Sequence, residues 1–191
     1  MPSDPTILAF DTSAAHCAAA LLSSGRIAVQ RSEEMGRGQA ERLMPLLQEV
    51  MDSAGVKWAD LSRIGVGVGP GNFTGIRISV AAARGLALSL GVPAIGVSTF
   101  DAIRHRVPRA RAAVPAPRDQ VYLDDSTGPR LVPLAQAGQV DMPPAPADLA
   151  AAIAGVAAIA PADSPAPAPL YIRAADAAPA RDAPPVILDD A

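Results

Sequence analysis

The chain has 191 residues, enough to bury a sizeable core in one domain or two small ones, and a net charge of −3 with Lys57 as its only lysine. That balance excludes the broad basic surface of a protein that grips nucleic acid by itself, and the single cysteine, Cys17, excludes a disulfide within the chain. Only five of the 20 prolines precede residue 101, and the second half has Tyr122 and Tyr171 as its sole aromatics. It is therefore poorly equipped to build an independent core, which predicts a globular unit over residues 1–103 and a reduced, Pro/Ala-rich unit over 104–191 that contributes little stability.

Residues 6–10 read as a strand that ends in Asp11-Thr12-Ser13, three hydrogen-bonding side chains suited to a turn. Residues 18–22 and 26–32 read as two further strands around a tight turn at Ser23-Ser24-Gly25. Over residues 39–54, Leu43, Leu47, Val50 and Ala54 follow helical spacing and Gly55 is placed to end the helix. Met44 and Met51 form a second stripe, and Pro45 is expected in the first turn, where its missing N–H costs little.

In the stretch from Ile64 to Gly69, branched side chains alternate with glycines, so one face of this strand is nearly bare and lets a backbone, a helix or a ligand come close. The turn that follows, Gly-Pro-Gly-Asn-Phe-Thr-Gly-Ile-Arg (residues 69–77), leads into a helix over residues 74–90 with Gly91 as its C-terminal cap. Asn72 or Thr74 can cap its start. Free N–H groups behind flexible glycines form an anion site, but the same glycines are equally consistent with a requirement for turn and packing alone. The spacing excludes a Walker loop, which ends in Gly-Lys-Ser/Thr, and a dinucleotide fingerprint, whose sixth position is not glycine here. One face of this helix carries Ile76, Val80, Ala83, Ala87 and Leu90; a second carries Arg77, Ala81, Arg84 and Leu88. Two apolar faces predict two neighbours, the outer one being another subunit or the preceding helix.

Residues 94–97 read as a strand, and Ser98 or Thr99 opens a short helix through Ile103. Beyond Arg106 the signals are a strand at residues 121–123 and a helix capped by Asp148 that carries Leu149, Ile153 and Val156. The two histidines, His16 and His105, form no ligand pair, so no metal site is expected. No basic region precedes an apolar one at the start and the apolar run near residue 150 is too short to span a bilayer, so the expectation is a soluble, cytoplasmic protein without a membrane partner.

The order strand, Asp-Thr-Ser, two strands, helix, glycine turn and helix resembles the bacterial TsaB (YeaZ) family over about residues 6–103. The turn is close to the family's Gly-Pro-Gly-Ser-Phe-Thr-Gly-Leu-Arg, and Pro-Leu-Tyr-Ile-Arg (residues 169–173) is similar to its C-terminal Pro-x-Tyr-Leu-Arg. Gln39 stands where members often have histidine, and Ala116-Pro117-Arg118 falls near their Asp-Ala-Arg.

The resemblance implies an α/β fold of the actin-like ATPase (ASKHA, ribonuclease-H-like) type, a mixed sheet with helices and a reduced second lobe. It implies a non-catalytic binding and dimerisation subunit that supports a TsaD-like transferase, with a TsaE-like ATPase, in threonylcarbamoylation of the tRNA adenosine beside the anticodon. A homodimer is a further expectation, tRNA being met only through the complex. The candidate degenerate nucleotide-binding residues are Asp11, Thr12, Ser13, Gly69, Gly71 and Thr74. The candidate partner interface is Leu43, Met44, Leu47, Met51, Arg77, Val80, Ala81, Arg84 and Leu88. No catalytic residue and no cofactor is assigned to this chain, ATP and a divalent metal being expected in the partner subunits. The alternative is an autonomous ATP-binding carbamoyl transferase or hydrolase using Asp11 and the glycine turn.

Overall fold

The computed structural model describes residues 4–161 and 163–172. Arg173, the end of the C-terminal motif, lies outside the described residues.

Strands β1 (Ile7–Asp11), β2 (His16–Ser23) and β3 (Arg26–Glu34) form an antiparallel meander, and β4 (Arg63–Gly67) and β5 (Ala94–Val97) add to β1 in parallel. The sheet order is β3-β2-β1-β4-β5, the mixed sheet of the actin-like, ribonuclease-H-like fold. Alternation along the strands assigns two faces. Leu8, Phe10, Cys17, Ala19, Leu21, Ile64 and Val66 point to helices α1 (Gln39–Ala54) and α2 (Phe73–Leu90), while Ile7, Ala9, Ile95 and Val97 point the other way. Gly55 and Gly91 end the two helices in the left-handed conformation, at φ 65° and 67°, so sequence and structure agree on both C-termini.

Pro45 is not in the first turn of α1 but in its interior. It sits on the exposed side, where the carbonyl that it leaves without a helical partner meets water. By length and composition alone, α2 could cross a membrane. Its apolar content has another use here, since Ile76, Val80 and Ala83 are buried on the sheet, and Arg77 and Arg84 lie on its outer side.

The second half contains more order than its composition suggests. After α3 (Thr99–Arg106), capped by Ser98, come β6 (Ala112–Ala116), β7 (Gln120–Asp125) and β8 (Gly128–Pro133), a three-stranded antiparallel sheet, and the short α4 (Leu134–Ala137). Only β7 was legible, because β6 and β8 carry Pro115, Pro129 and Pro133. Both flank β7 as outer strands, where a missing N–H is tolerated.

Helix α5 (Pro146–Ile159) then returns to cover the second face of the large sheet. Asp148 lies in its first turn, not at its cap, which is Ala145. Leu149, Ala152, Ile153, Ala154 and Ala157 pack on Ile7, Ala9, Ile95 and Val97. A Cβ built on Gly65 would lie 3.2 Å from that of Ala157, so the bare face of β4 admits α5. Arg63 donates to the carbonyls of Ala157 (2.9 Å) and Ala160 (2.6 Å) at the helix end, where cations are favoured.

Helix α5 therefore shares the core of the first sheet, and the boundary at 103 does not divide that core. A chain truncated before Pro146 is expected to lose cooperative thermal unfolding by circular dichroism, because burial of Leu149 and Ile153 alone contributes about 1.5–3 kcal/mol each. A truncated chain that melts like the full one would refute this.

Candidate functional site

The glycine turn and the Asp11-Thr12-Ser13 turn meet at the ends of β1 and β4. Asp11 is fully buried. Its Oδ2 accepts from the Ser13 N–H (3.0 Å) and the Ser13 hydroxyl (2.9 Å), and lies 2.7 Å from His16 Nε2. Its Oδ1 has no partner among the described residues and points at Gly67, where a Cβ would overlap it. The Thr12 hydroxyl donates to the Gly75 carbonyl (2.7 Å), and the Asn72 N–H donates to the Ser13 carbonyl (2.6 Å). A Cβ on Gly71 or Gly75 would overlap the carbonyl of Ser13 or of Thr12.

The close approach that the glycines permit is thus made by the chain's own Asp-Thr-Ser turn. Asn72, not Thr74, caps α2, its Oδ1 accepting from the Gly75 N–H at 2.9 Å. Of the six candidate nucleotide residues, Asp11, Thr12, Ser13 and Gly71 come together, while Gly69 packs on Ile76 and its carbonyl accepts from the Thr99 N–H (2.8 Å). Thr74 lies apart, exposed in a groove shared with Arg37 and Gln39 at the start of α1.

Sequence reasoning missed what braces this junction. Gln39 Nε2 donates to the carbonyls of Ala14 (2.7 Å) and His16 (2.9 Å), tying the first residue of α1 to the turn. His16 serves the same junction through Asp11, a partner that no local pattern predicts. For Gln39 the available signal was a polar side chain opening an amphipathic helix. At the C-terminal motif, the Leu170 N–H donates to the Val68 carbonyl (2.8 Å), and Tyr171 stacks on Phe73 with ring centroids 4.9 Å apart. Arg77 lies 5.0 Å above the same Phe73 ring. The two motifs that carried the resemblance are one packed unit.

Beside the junction opens a cleft of about 550 Å3 between the two sheets. The polar side chains that line it are Ser13, His16, Asn72, Thr99 and Tyr122, and the other walls are mostly apolar, with Pro70, Pro115, Pro117 and the Met142-Pro143-Pro144 segment among them. Among the described residues no lysine or arginine lines it, and none form a cluster of three His, Cys, Asp or Glu side chains fit for a metal. Cys17 is buried, and burial pushes its thiol up to about 11, so it stays protonated and unreactive at neutral pH.

On the outer side of the helices, Leu88 is 87% exposed and Met44 42%, with Arg77, Ala81 and Arg84 exposed beside them. Leu43, Leu47, Met51 and Val80, also expected at the interface, belong instead to the chain's own core. Leu43, Leu47 and Val80 face the sheet, and Met51 is in the cluster that Val56, Trp58 and Leu61 close as the chain leaves α1. The first helix does not supply the missing cover for Leu88.

Arg42 fixes α1 to the edge strand β3, donating through Nε to Glu33 (2.8 Å) and through Nη1 and Nη2 to Glu49 (2.7 and 2.8 Å). These hydrogen bonds hold both carboxyls below the usual range. The pair contributes above the ordinary carboxylate pKa, and the contribution is lost as pH falls through the lowered values. A small drop in melting temperature on acidification that is absent in Arg42→Gln is the expected result, since exposed pairs are worth little.

Comparison with known proteins places this geometry. Residues 32–161 match the family model described as TsaD, tRNA N6-adenosine threonylcarbamoyltransferase. The tRNA threonylcarbamoyladenosine biosynthesis protein TsaB of Escherichia coli is 34% identical over 122 residues, 61% of this chain and 52% of that protein. An uncharacterised protein of Mycobacterium tuberculosis is 33% identical over 202 residues, covering 91% of this chain and 94% of its own length. The structure of YeaZ from Pseudomonas aeruginosa superposes with a TM-score of 0.55 at 36% identity, over 67% of this chain and 64% of that one. The chain spans about half the length of the curated TsaB relatives it matches. Family model, relatives and structure agree with the paired motifs around the glycine turn, and the chain belongs to this threonylcarbamoyltransferase family as a member of its TsaB/YeaZ branch.

Proposed function

We propose that the protein is a non-catalytic binding subunit in the biosynthesis of tRNA threonylcarbamoyladenosine, acting in the cytoplasm by docking a TsaD-like transferase, with a TsaE-like ATPase completing the system. The observation that carries this reading is the outer face of α2. Leu88 is almost wholly exposed next to Ala81 and Arg84, on a helix whose other face is fixed to the sheet. Small residues let a partner helix come close, and Met44 on α1 adapts to an imperfect surface. The names of the curated relatives support the pathway.

The junction supports the absence of catalysis. Asp11 is engaged by Ser13 and His16, and the described residues give the cleft apolar walls where triphosphate charge would need cations. ATP and its metal then belong to the partner subunits.

Co-purification of the tagged chain, with mass spectrometry of what it retains, tests the reading: the related transferase subunit is expected. Ala81→Glu should abolish that association in sedimentation while leaving the circular dichroism spectrum unchanged, since it sets a charge in a contact and not in the core. An unchanged complex would move the interface elsewhere. Micromolar ATP affinity of the isolated chain, with turnover lost in Asp11→Ala, would instead establish the autonomous transferase or hydrolase.

A further inference from the structure

The positive charge of this acidic chain is unevenly placed. Residues 104–111, Arg-His-Arg-Val-Pro-Arg-Ala-Arg, hold four of the 16 cationic side chains in eight positions with no acid among them. The structure folds three of these arginines around one recess. Arg104, Arg109 and Arg111 line a surface groove of about 460 Å3 with Ala110, Asp125 and Ser126, where α3 runs into the small sheet.

Asp125 is the acid that lines the groove, and Asp124 precedes it on β7; both are engaged. Asp124 accepts from Arg104 Nη1 (2.7 Å). Asp125 Oδ1 accepts from Arg130 Nη1 (2.7 Å), the Thr127 N–H (3.0 Å) and the Thr127 hydroxyl (2.9 Å); its Oδ2 accepts from Arg130 Nη2 (2.9 Å). Arg111 reaches Asp125 only at 3.4 Å, and its Nη1 donates to the Ala137 carbonyl (2.6 Å). Arg109 has no hydrogen-bond or ion-pair partner among the described residues, and it sits at φ 67°, a left-handed backbone that holds it out in the loop. Two guanidinium charges, on Arg109 and Arg111, are thus left without a full counter-charge on one rim.

We propose that this groove binds the phosphates of an RNA backbone, so that the chain makes a direct, sequence-independent contact to nucleic acid. Planar guanidinium forks match phosphate oxygens, and such contacts position a strand without reading its bases. Val107 is the one large apolar side chain exposed in this stretch, which is too little to seat the loop in a lipid surface. That the RNA is a tRNA rests on the functional reading above; the groove's chemistry does not.

The test is fluorescence anisotropy of the full chain with a labelled tRNA transcript, from about 50 mM salt upward. Salt-dependent binding is expected. Arg109→Gly removes one charge and suits the left-handed backbone, and it should weaken binding about tenfold and lower the slope of log affinity against log salt by about 1. Arg118→Gly, at the far end of the β6–β7 hairpin and also left-handed at φ 63°, should leave binding intact. Absence of salt-dependent binding, equal affinity for wild type and Arg109→Gly, or equal loss in Arg118→Gly overturns the proposal. So does binding to phosphatidylserine vesicles without binding to tRNA. Ala81→Glu should keep full tRNA affinity, so loss of the partner and loss of the RNA contact are read separately.

Discussion

Gly75→Ala is expected to destabilise the protein by at least about 4 kcal/mol, although the same change in an exposed helix interior usually stabilises by about 1 kcal/mol. The sign inverts because of what faces the position. A Cβ on Gly75 would overlap the carbonyl oxygen of Thr12, a backbone atom that cannot swing away as a side chain tip does. Neither partner can retreat, since the Thr12 hydroxyl is bonded to the Gly75 carbonyl and Asn72 Oδ1 to the Gly75 N–H. Against a total stability of about 5–15 kcal/mol, such a loss leaves little folded protein at physiological temperature. Gly85→Ala is the control within the same helix. Nothing lies within 4 Å of a Cβ there, so that variant should melt at or above the wild-type temperature. Thermal melts followed by circular dichroism decide the matter, and a Gly75→Ala protein as stable as Gly85→Ala would refute the direct packing of α2 on the turn.

His16→Ala is expected to cost about 3–5 kcal/mol, from the partner lost by a buried acidic side chain together with the cavity that the imidazole leaves. Asp11 is wholly buried; among the described residues its Oδ1 has no partner, and without His16 its Oδ2 retains only the two Ser13 donors. A lost side chain also leaves a cavity, so the single variant alone does not identify the cause. Adding Asp11→Asn does. If the lost partner of the Asp11 side chain is responsible, the double variant regains about 1–3 kcal/mol over His16→Ala; if packing is responsible, it regains nothing. Denaturant titration of the four proteins measures that difference.

The sequence by itself determined the large sheet and the two helices in front of it. Local signals sufficed for them: alternation in β1 to β5, a 3.6-residue apolar period in α1 and α2, and glycines at 55 and 91 whose φ of 65° and 67° most residues adopt only with strain. The glycine turn was also legible as a place of close approach, because glycines that admit a neighbouring backbone follow one another along that stretch.

Tertiary structure alone decided what fills that approach, and which faces remain open. Periodicity defines two stripes on α1 but not which neighbour covers them, so Leu43, Leu47 and Met51 were expected at a partner and are instead core. Gly67 makes room for the Asp11 carboxylate, a contact across two strands that no local pattern encodes. Helix α5 was visible as a stripe of Leu149 and Ile153, yet its place on the far face of the first sheet depends on Gly65, Ala9 and Arg63, about ninety residues or more earlier in the chain. The second half looked too rich in proline and alanine to matter for stability. Small side chains on α5 serve well when the surface beneath them is equally small, and that complementarity exists only once the chain has folded.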